Sequence, residues 1–138
     1  MITRKYRKIT YYKLNARQKE NYNFQKVSAV LADYGFITLR LNDDWQGADF
    51  IAQHIDGKTF LKIQLKARLT FDKKYLGKCL FIVFSEQNRW YLYPHADLFE
   101  IISKKSNIVE SQSWKEKGLY HYPKIPDRYK ELMDSYAL

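Results

Sequence analysis

Residues 48–68, ADFIAQHIDGKTFLKIQLKAR, are two apolar-rich runs joined by Asp56-Gly57. That dipeptide favours a two-residue hairpin turn. Closing the hairpin there sets Ile55 opposite Lys58, Ala52 opposite Leu61 and Asp49 opposite Gln64. Opposed residues share a face, with Cβ atoms about 4.5–5.5 Å apart. Lys66, two positions beyond Gln64, belongs to the same face. Ala48, Phe50 and Ala52 fall with Leu61, Ile63 and Leu65 on the other face, an apolar strip suited to a core. The chain thus gathers Asp49, Gln64 and Lys66 on the less apolar side of a sheet, with Gln53 and Lys62 beside them.

Upstream, Asn15 with Gln18 three residues later forms a capping-box signature. It predicts a helix from Ala16 to about Tyr34, stopped by Gly35. The inward stripe is Phe24, Val27, Leu31 and Tyr34, and Glu20 extends it by one turn toward the N-terminal end. An unpaired carboxylate on a core-facing stripe is costly, so Glu20 either serves a site or is exposed and paired with a base. A strand, FITLRLN (36–42), and a loop, DDWQG, lead into the hairpin.

Downstream, LTFDKKYLGK (69–78) reads as a basic connection and CLFIVFS (79–85) as a central strand, with Cys79 as a buried thiol. RWYLY is a further strand ended by Pro94, and ADLFEIIS (96–103) is a short helix. Residues 104–123 lack a clear pattern. Pro126 opens a last helix with Tyr129, Leu132, Met133 and Tyr136 on one face. The expected order is αβββ-ββ-α-α, an α/β (α+β) fold with a central mixed β-sheet of about five strands flanked by helices. One domain over 1–138 suits this length.

The chain of 138 residues is 46% hydrophobic with a net charge of +9, which argues against disorder. No apolar run reaches the ~20 residues that span a bilayer, and MITRKYRKIT lacks the apolar stretch of a signal peptide. A single cysteine and three scattered histidines exclude an internal disulfide and make a zinc site implausible; the expected setting is the reducing cytoplasm. Arg4, Lys5, Arg7, Lys8, Lys13, Arg17 and Lys19 crowd an N-terminal stretch free of acids, its first 14 residues forming a basic arm. Lys62, Arg68, Lys73, Lys74 and Lys78 belong to a second basic stretch that holds only Asp72 as an acid. Tyr6, Tyr11, Tyr12, Phe71 and Tyr75 are interleaved with these bases, a pattern that fits nucleic acid rather than membrane.

An acid beside a lysine, with a helix carboxylate nearby, suits metal-assisted phosphodiester hydrolysis. Asp49, Gln64, the Leu65 backbone carbonyl and Glu20 offer the oxygen ligands that a hard divalent cation needs. Lys66 is placed to orient or deprotonate a water, or to steady developing negative charge. In the order Glu20 on a first helix, Asp49 in the second strand after Gly47, and Gln64-Leu65-Lys66 in the third, the sequence resembles the PD-(D/E)xK (restriction-endonuclease-like) nuclease superfamily, which includes Holliday-junction resolvases. The resemblance covers roughly residues 15–95. It implies an αβββ core, Mg2+ dependence with Mn2+ as a substitute, and DNA as the substrate. Asp49 would be the chief metal ligand, Lys66 the catalytic lysine, and Glu20 the assisting helix acid.

The departure is Gln64, which stands where the family carries Asp or Glu; an amide oxygen can ligate metal but brings no charge. Asp43 and Asp44 either replace that charge or turn the chain. The expectation is a metal-dependent nuclease, endonuclease more than exonuclease, with a homodimer suited to double-strand cutting. One alternative is a catalytically weak or inactive nuclease-fold nucleic-acid-binding protein. Another is a basic interaction protein with no nuclease ancestry, in which Asp49 and Gln64 would not be neighbours across a hairpin. A bland Asp49–Lys66 surface ion pair, contributing about 0–1 kcal/mol, is the structural alternative.

Overall fold

A computed structural model describes residues 5–138. The Asn15 side chain accepts from the Gln18 N–H at 2.8 Å and the Gln18 side chain accepts from the Asn15 N–H at 3.0 Å. This capping box opens α1 (Ala16–Ala32). Val27 and Leu31 are fully buried on its inner stripe. Tyr34 lies past the helix end and is 50% exposed, so the expected stripe is one member too long. The helix packs on β1 (Phe36–Trp45), β2 (Ala48–His54) and β3 (Phe60–Leu65). Thr38 on β1 donates to Ser28 on α1, 2.8 Å away.

The hairpin register agrees with the sequence reading: Phe50 pairs with Ile63, Ile51 with Lys62 and Ala52 with Leu61. Its loop differs. The last backbone bond runs from the His54 N–H to Thr59 O, leaving Ile55–Lys58 as a four-residue loop in place of a two-residue turn. The Asp56 carboxylate holds this loop by accepting from the Lys58 and Thr59 N–H groups, each at 2.8 Å, and from the Thr59 hydroxyl at 2.7 Å. The loop gains one residue on each side of the same centre, so the register survives.

The tight turn lies one hairpin earlier. Trp45 pairs with Ala48, leaving Gln46 (φ 54°) and Gly47 (φ 89°) as the two turn residues. Two positive φ values are what a type I′ turn requires. The DDWQG stretch is therefore the end of β1 and a primed turn, with an irregularity between Arg40 and Trp45. A Cβ on Gly47 would lie 3.0 Å from the Tyr75 ring. Gly47→Ala is expected to cost about 1–3 kcal/mol through the forbidden φ and this contact, read as a lower midpoint in urea unfolding.

β5 (Leu80–Glu86) runs parallel to β3, and β6 (Arg89–Pro94) returns antiparallel. The sheet order is β1-β2-β3-β5-β6, a five-stranded mixed sheet. On the α1 side, Phe50, Ala52, Ile63 and Val83 bury against Val27 and Leu31. On the other, Ile82, Phe84, Tyr91 and Tyr93 meet Leu98 and Ile102 of α2 (His95–Lys105). That second layer lies mainly over β5 and β6, and Ile37, Leu39 and Phe60 remain 67%, 58% and 60% exposed.

Two stretches read as irregular are structured. Within 69–78, β4 (Thr70–Asp72) is buried, and a 3₁₀ turn (Lys73–Tyr75) follows. Within 104–123 lie α3 (Gln112–Lys117) and β7 (Leu119–His121), and β7 pairs with β4 in a separate two-stranded sheet. The expected αβββ-ββ-α-α order therefore gains two strands and a helix. The buried His95 accepts the Asp72 N–H at 3.0 Å, tying this unit to the main sheet. The terminal segment forms a 3₁₀ turn (Asp127–Tyr129) and α4 (Lys130–Asp134), burying Tyr129 and Met133. Ala137 then bridges to Tyr91 along the outer edge of β6. Cys79 is exposed, with φ 52°, because β5 begins one residue after it. No helix among the described residues is long and apolar enough to cross a membrane.

Candidate functional site

Asp49 is the second residue of β2 and Lys66 follows the last residue of β3, so the hairpin register carries both to one end of the sheet. Asp49 Oδ2 accepts the Leu65 N–H at 2.9 Å, and the Lys66 N–H donates to Val83 O at 2.9 Å. Neither side chain is in a salt bridge among the described residues, so the bland ion pair is not what the structure contains. Both are half-buried. Burial raises the Asp49 pKa above the ordinary carboxylate value; the Leu65 N–H opposes this, and the negative charges of Glu20 and Asp44 add to it. Burial likewise lowers the Lys66 pKa, and the charge of Lys74 lowers it further.

A cavity of about 340 Å³ opens beside Asp49, lined also by Glu20, Asp43, Asp44, Arg17 and Arg40. Glu20 shares this space, though not from an inward stripe: its side chain is 53% exposed and lies 3.2 Å from Arg40. It is thus the exposed, paired acid of the two readings weighed for it, and it faces Asp49's cavity as well. Asp44 accepts the Gly47 N–H at 2.6 Å and so turns the chain while adding charge to the cavity. Gln64 is half-buried, opposite Ile82 in the parallel ladder, and lines neither this cavity nor the groove beside Lys66.

The oxygen-rich set suits a hard cation, and the surplus of acids around Asp49 would be relieved by one. No three of the described His, Cys, Asp or Glu residues stand close enough together to hold a metal ion by themselves. Magnesium usually takes one or two carboxylates and completes its shell with water and substrate phosphate. Asp49, with the neighbouring acids of its cavity, fits that mode.

Tyr75 is a neighbour that sequence patterning missed. Its ring lies 5.5 Å from Lys66 Nζ and 5.3 Å from Lys74 Nζ, and its floor is Gly47. The only signal was its place among the bases of KKYLGK. Asp72, which acts on both Lys66 and Tyr75, caps the 3₁₀ turn by accepting from the Lys74 N–H.

The basic residues are spread over several surfaces. Arg4 lies outside the described residues; Lys5, Arg7, Lys8 and Lys13 are exposed. The arm ends earlier than expected, because Tyr11–Lys13 forms a 3₁₀ turn and Tyr11 packs on Tyr22 with ring centroids 5.3 Å apart. Lys19 reaches over the Tyr11 ring, and Arg17 borders the acidic cavity. Lys62 donates to the Gln46 side chain at 2.8 Å on the open sheet face. Lys73 leans on Trp114, whereas Arg68 and Lys78 are exposed.

No known family's sequence pattern matches the chain, and no curated protein matches it. Among solved structures, one similar chain is Hjc, a Holliday junction resolvase from the archaeal hyperthermophile Archaeoglobus fulgidus. It is 18% identical, the match covers 51% of this chain and 74% of that one, and the TM-score is 0.42.

Proposed function

We propose that this protein is a metal-dependent endonuclease that hydrolyses DNA phosphodiester bonds, with Asp49, Gln64, Lys66 and Glu20 forming its site. The observation that carries the reading is the pairing at the end of β3. A carboxylate whose pKa is raised lines an acid-rich cavity there, and a lysine whose pKa is lowered stands half-buried in the neighbouring groove, within reach of its charge. Groups perturbed by burial and by specific charged neighbours in a cleft are functional candidates. Asp49 and the Leu65 carbonyl are the proposed holders of Mg2+ or Mn2+, with Glu20 and Asp44 as nearby charge; Gln64, across the hairpin and outside the cavity lining, would join them only by turning toward Asp49. When bound, the ion would polarise the phosphoryl group and acidify a water. Lys66 would steady the negative charge that builds on the phosphate, from a pocket where water screens it poorly. A cytoplasmic setting and a homodimer that cuts both strands belong to the same proposal; sedimentation velocity checks the dimer.

Linear, branched and single-stranded DNA are incubated with the protein, with magnesium and with chelator. Cleavage is expected only with magnesium, and only when Asp49 and Lys66 are present. Wild-type cleavage by both Asp49→Ala and Lys66→Ala would refute the site. A second reading, a nuclease-fold nucleic-acid-binding protein with little or no catalysis, is favoured by the uncharged Gln64 and by the Glu20–Arg40 pair. It requires that titration with millimolar magnesium or manganese show no binding.

A further inference from the structure

We propose that the groove beside Lys66 binds unpaired nucleotides, so that the preferred substrate is DNA with a single-stranded segment next to the cleaved bond. This deepens the nuclease reading and rests on it. The groove, about 730 Å³, is lined by Tyr11, Tyr12, Tyr22, Lys26, Lys66 and Trp90, with no acid in its walls. The cavity at Asp49 is acidic, and one hydrogen bond links the two openings: Leu65, which lines the groove, donates its N–H to Asp49, which lines the cavity. A strand lying along the groove would therefore run toward the candidate metal site.

The aromatic rings form a fixed platform. The Tyr11 hydroxyl accepts from Asn23 at 2.8 Å, anchoring the 3₁₀ turn on α1. Tyr11 stands 5.3 Å from Tyr22 and 5.7 Å from Tyr12 between ring centroids. Tyr12 is 86% exposed on this anchored turn, a large aromatic surface left in water apart from its edge contact with Tyr11. Lys26 Nζ lies 5.3 Å from the Tyr22 ring, placing a cation for phosphate beside a face for a base. Opposite, the exposed Gln87 and Asn88 occupy the two-residue turn between β5 and β6, where their amides can meet the edges of bases.

This mixture selects against an intact duplex. Paired bases keep their faces inside the stack, whereas single-stranded bases can lie on tyrosine rings while lysines follow the backbone. A merely basic surface would bind both forms through phosphates, and its affinity would not depend on aromatic groups.

The test is fluorescence anisotropy of the full chain with labelled oligothymidine and with a duplex of equal length, in chelator so that nothing is cut. Single-stranded DNA is expected to bind more tightly. Tyr12→Ala and Tyr22→Ala should each weaken single-strand binding by roughly tenfold, leave duplex binding unchanged, and be rescued by Tyr12→Phe and Tyr22→Phe. Unchanged single-strand affinity in both alanine variants overturns the proposal, as does an equal loss on duplex. A separate magnesium assay distinguishes the two readings. The expected binding pattern without any cleavage keeps the groove and removes the nuclease; Asp49-dependent cleavage without the pattern does the reverse.

Discussion

Asp49→Asn is expected to lower DNA cleavage on the order of a thousandfold, the scale of several kcal/mol in metal-assisted charge stabilisation, while raising the melting temperature at neutral pH. The two effects share one cause. Asp49 is held where burial and the charges of Glu20 and Asp44 disfavour its ionised form, so its folded pKa lies above its unfolded one. At neutral pH the carboxylate is charged in both states, and only the folded state bears the unfavourable surroundings. As pH falls through the raised folded pKa, the native state takes up a proton first and the penalty fades. An asparagine never carries the charge and has an oxygen that can still accept the Leu65 N–H. The gap in melting temperature between variant and wild type should therefore be widest near neutrality and close toward acid. Thermal melts from pH 7 to pH 4, beside cleavage rates, check both halves; a variant less stable than wild type at pH 7 would contradict the electrostatic account.

Lys66→Ala should cost about 10²–10³ in rate, the scale of losing one preorganised charge-stabilising group. The sharper expectation concerns pH. If the ammonium form steadies the phosphate, activity falls as pH rises through the Lys66 pKa, which burial and Lys74 set below the ordinary lysine value of about 10.4. The Tyr75 hydroxyl, pushed upward by burial and by Asp72, titrates above this range and cannot produce the limb. Lys74→Ala removes the second cause of the Lys66 shift, so the alkaline limb should move to higher pH even as DNA affinity drops. A limb that stays in place would show that another group governs it.

The hairpin was legible because its evidence is local: alternation on both runs and a turn pair at the centre. Four residues replaced the predicted two in its loop, yet the register held, since Asp56 caps the wider loop without shifting its midpoint. The capping box at Asn15 and Gln18 was readable for the same reason. What escaped were pairings between distant segments. β4 and β7 are three residues each, too short for a period, and each exists because the other is there. Gln46-Gly47 carries a weaker turn signal than Asp56-Gly57, so β1 looked shorter than it is. Glu20 followed the helical stripe on paper, but it sits one turn before the buried part begins, where Arg40 reaches it from β1. Cys79 was drawn into an apolar run whose strand starts at Leu80.

The one parallel contact in the sheet, β3 with β5, has a bearing on how the molecule becomes competent. Hairpins close over a few residues, whereas joining β3 to β5 means closing the whole 66–79 excursion, with Lys66 at its first step and Tyr75 within it. Loop-closure entropy opposes such joins until the packing they permit is in place. During refolding, the β2–β3 hairpin and α1 should gain structure first, and the surroundings of Lys66 should mature with the crossover. On the proposed nuclease reading, recovery of DNA cleavage would then trail the return of far-ultraviolet circular dichroism, because the surroundings of Lys66 wait on the strand pairing that closes the longest loop in the sheet.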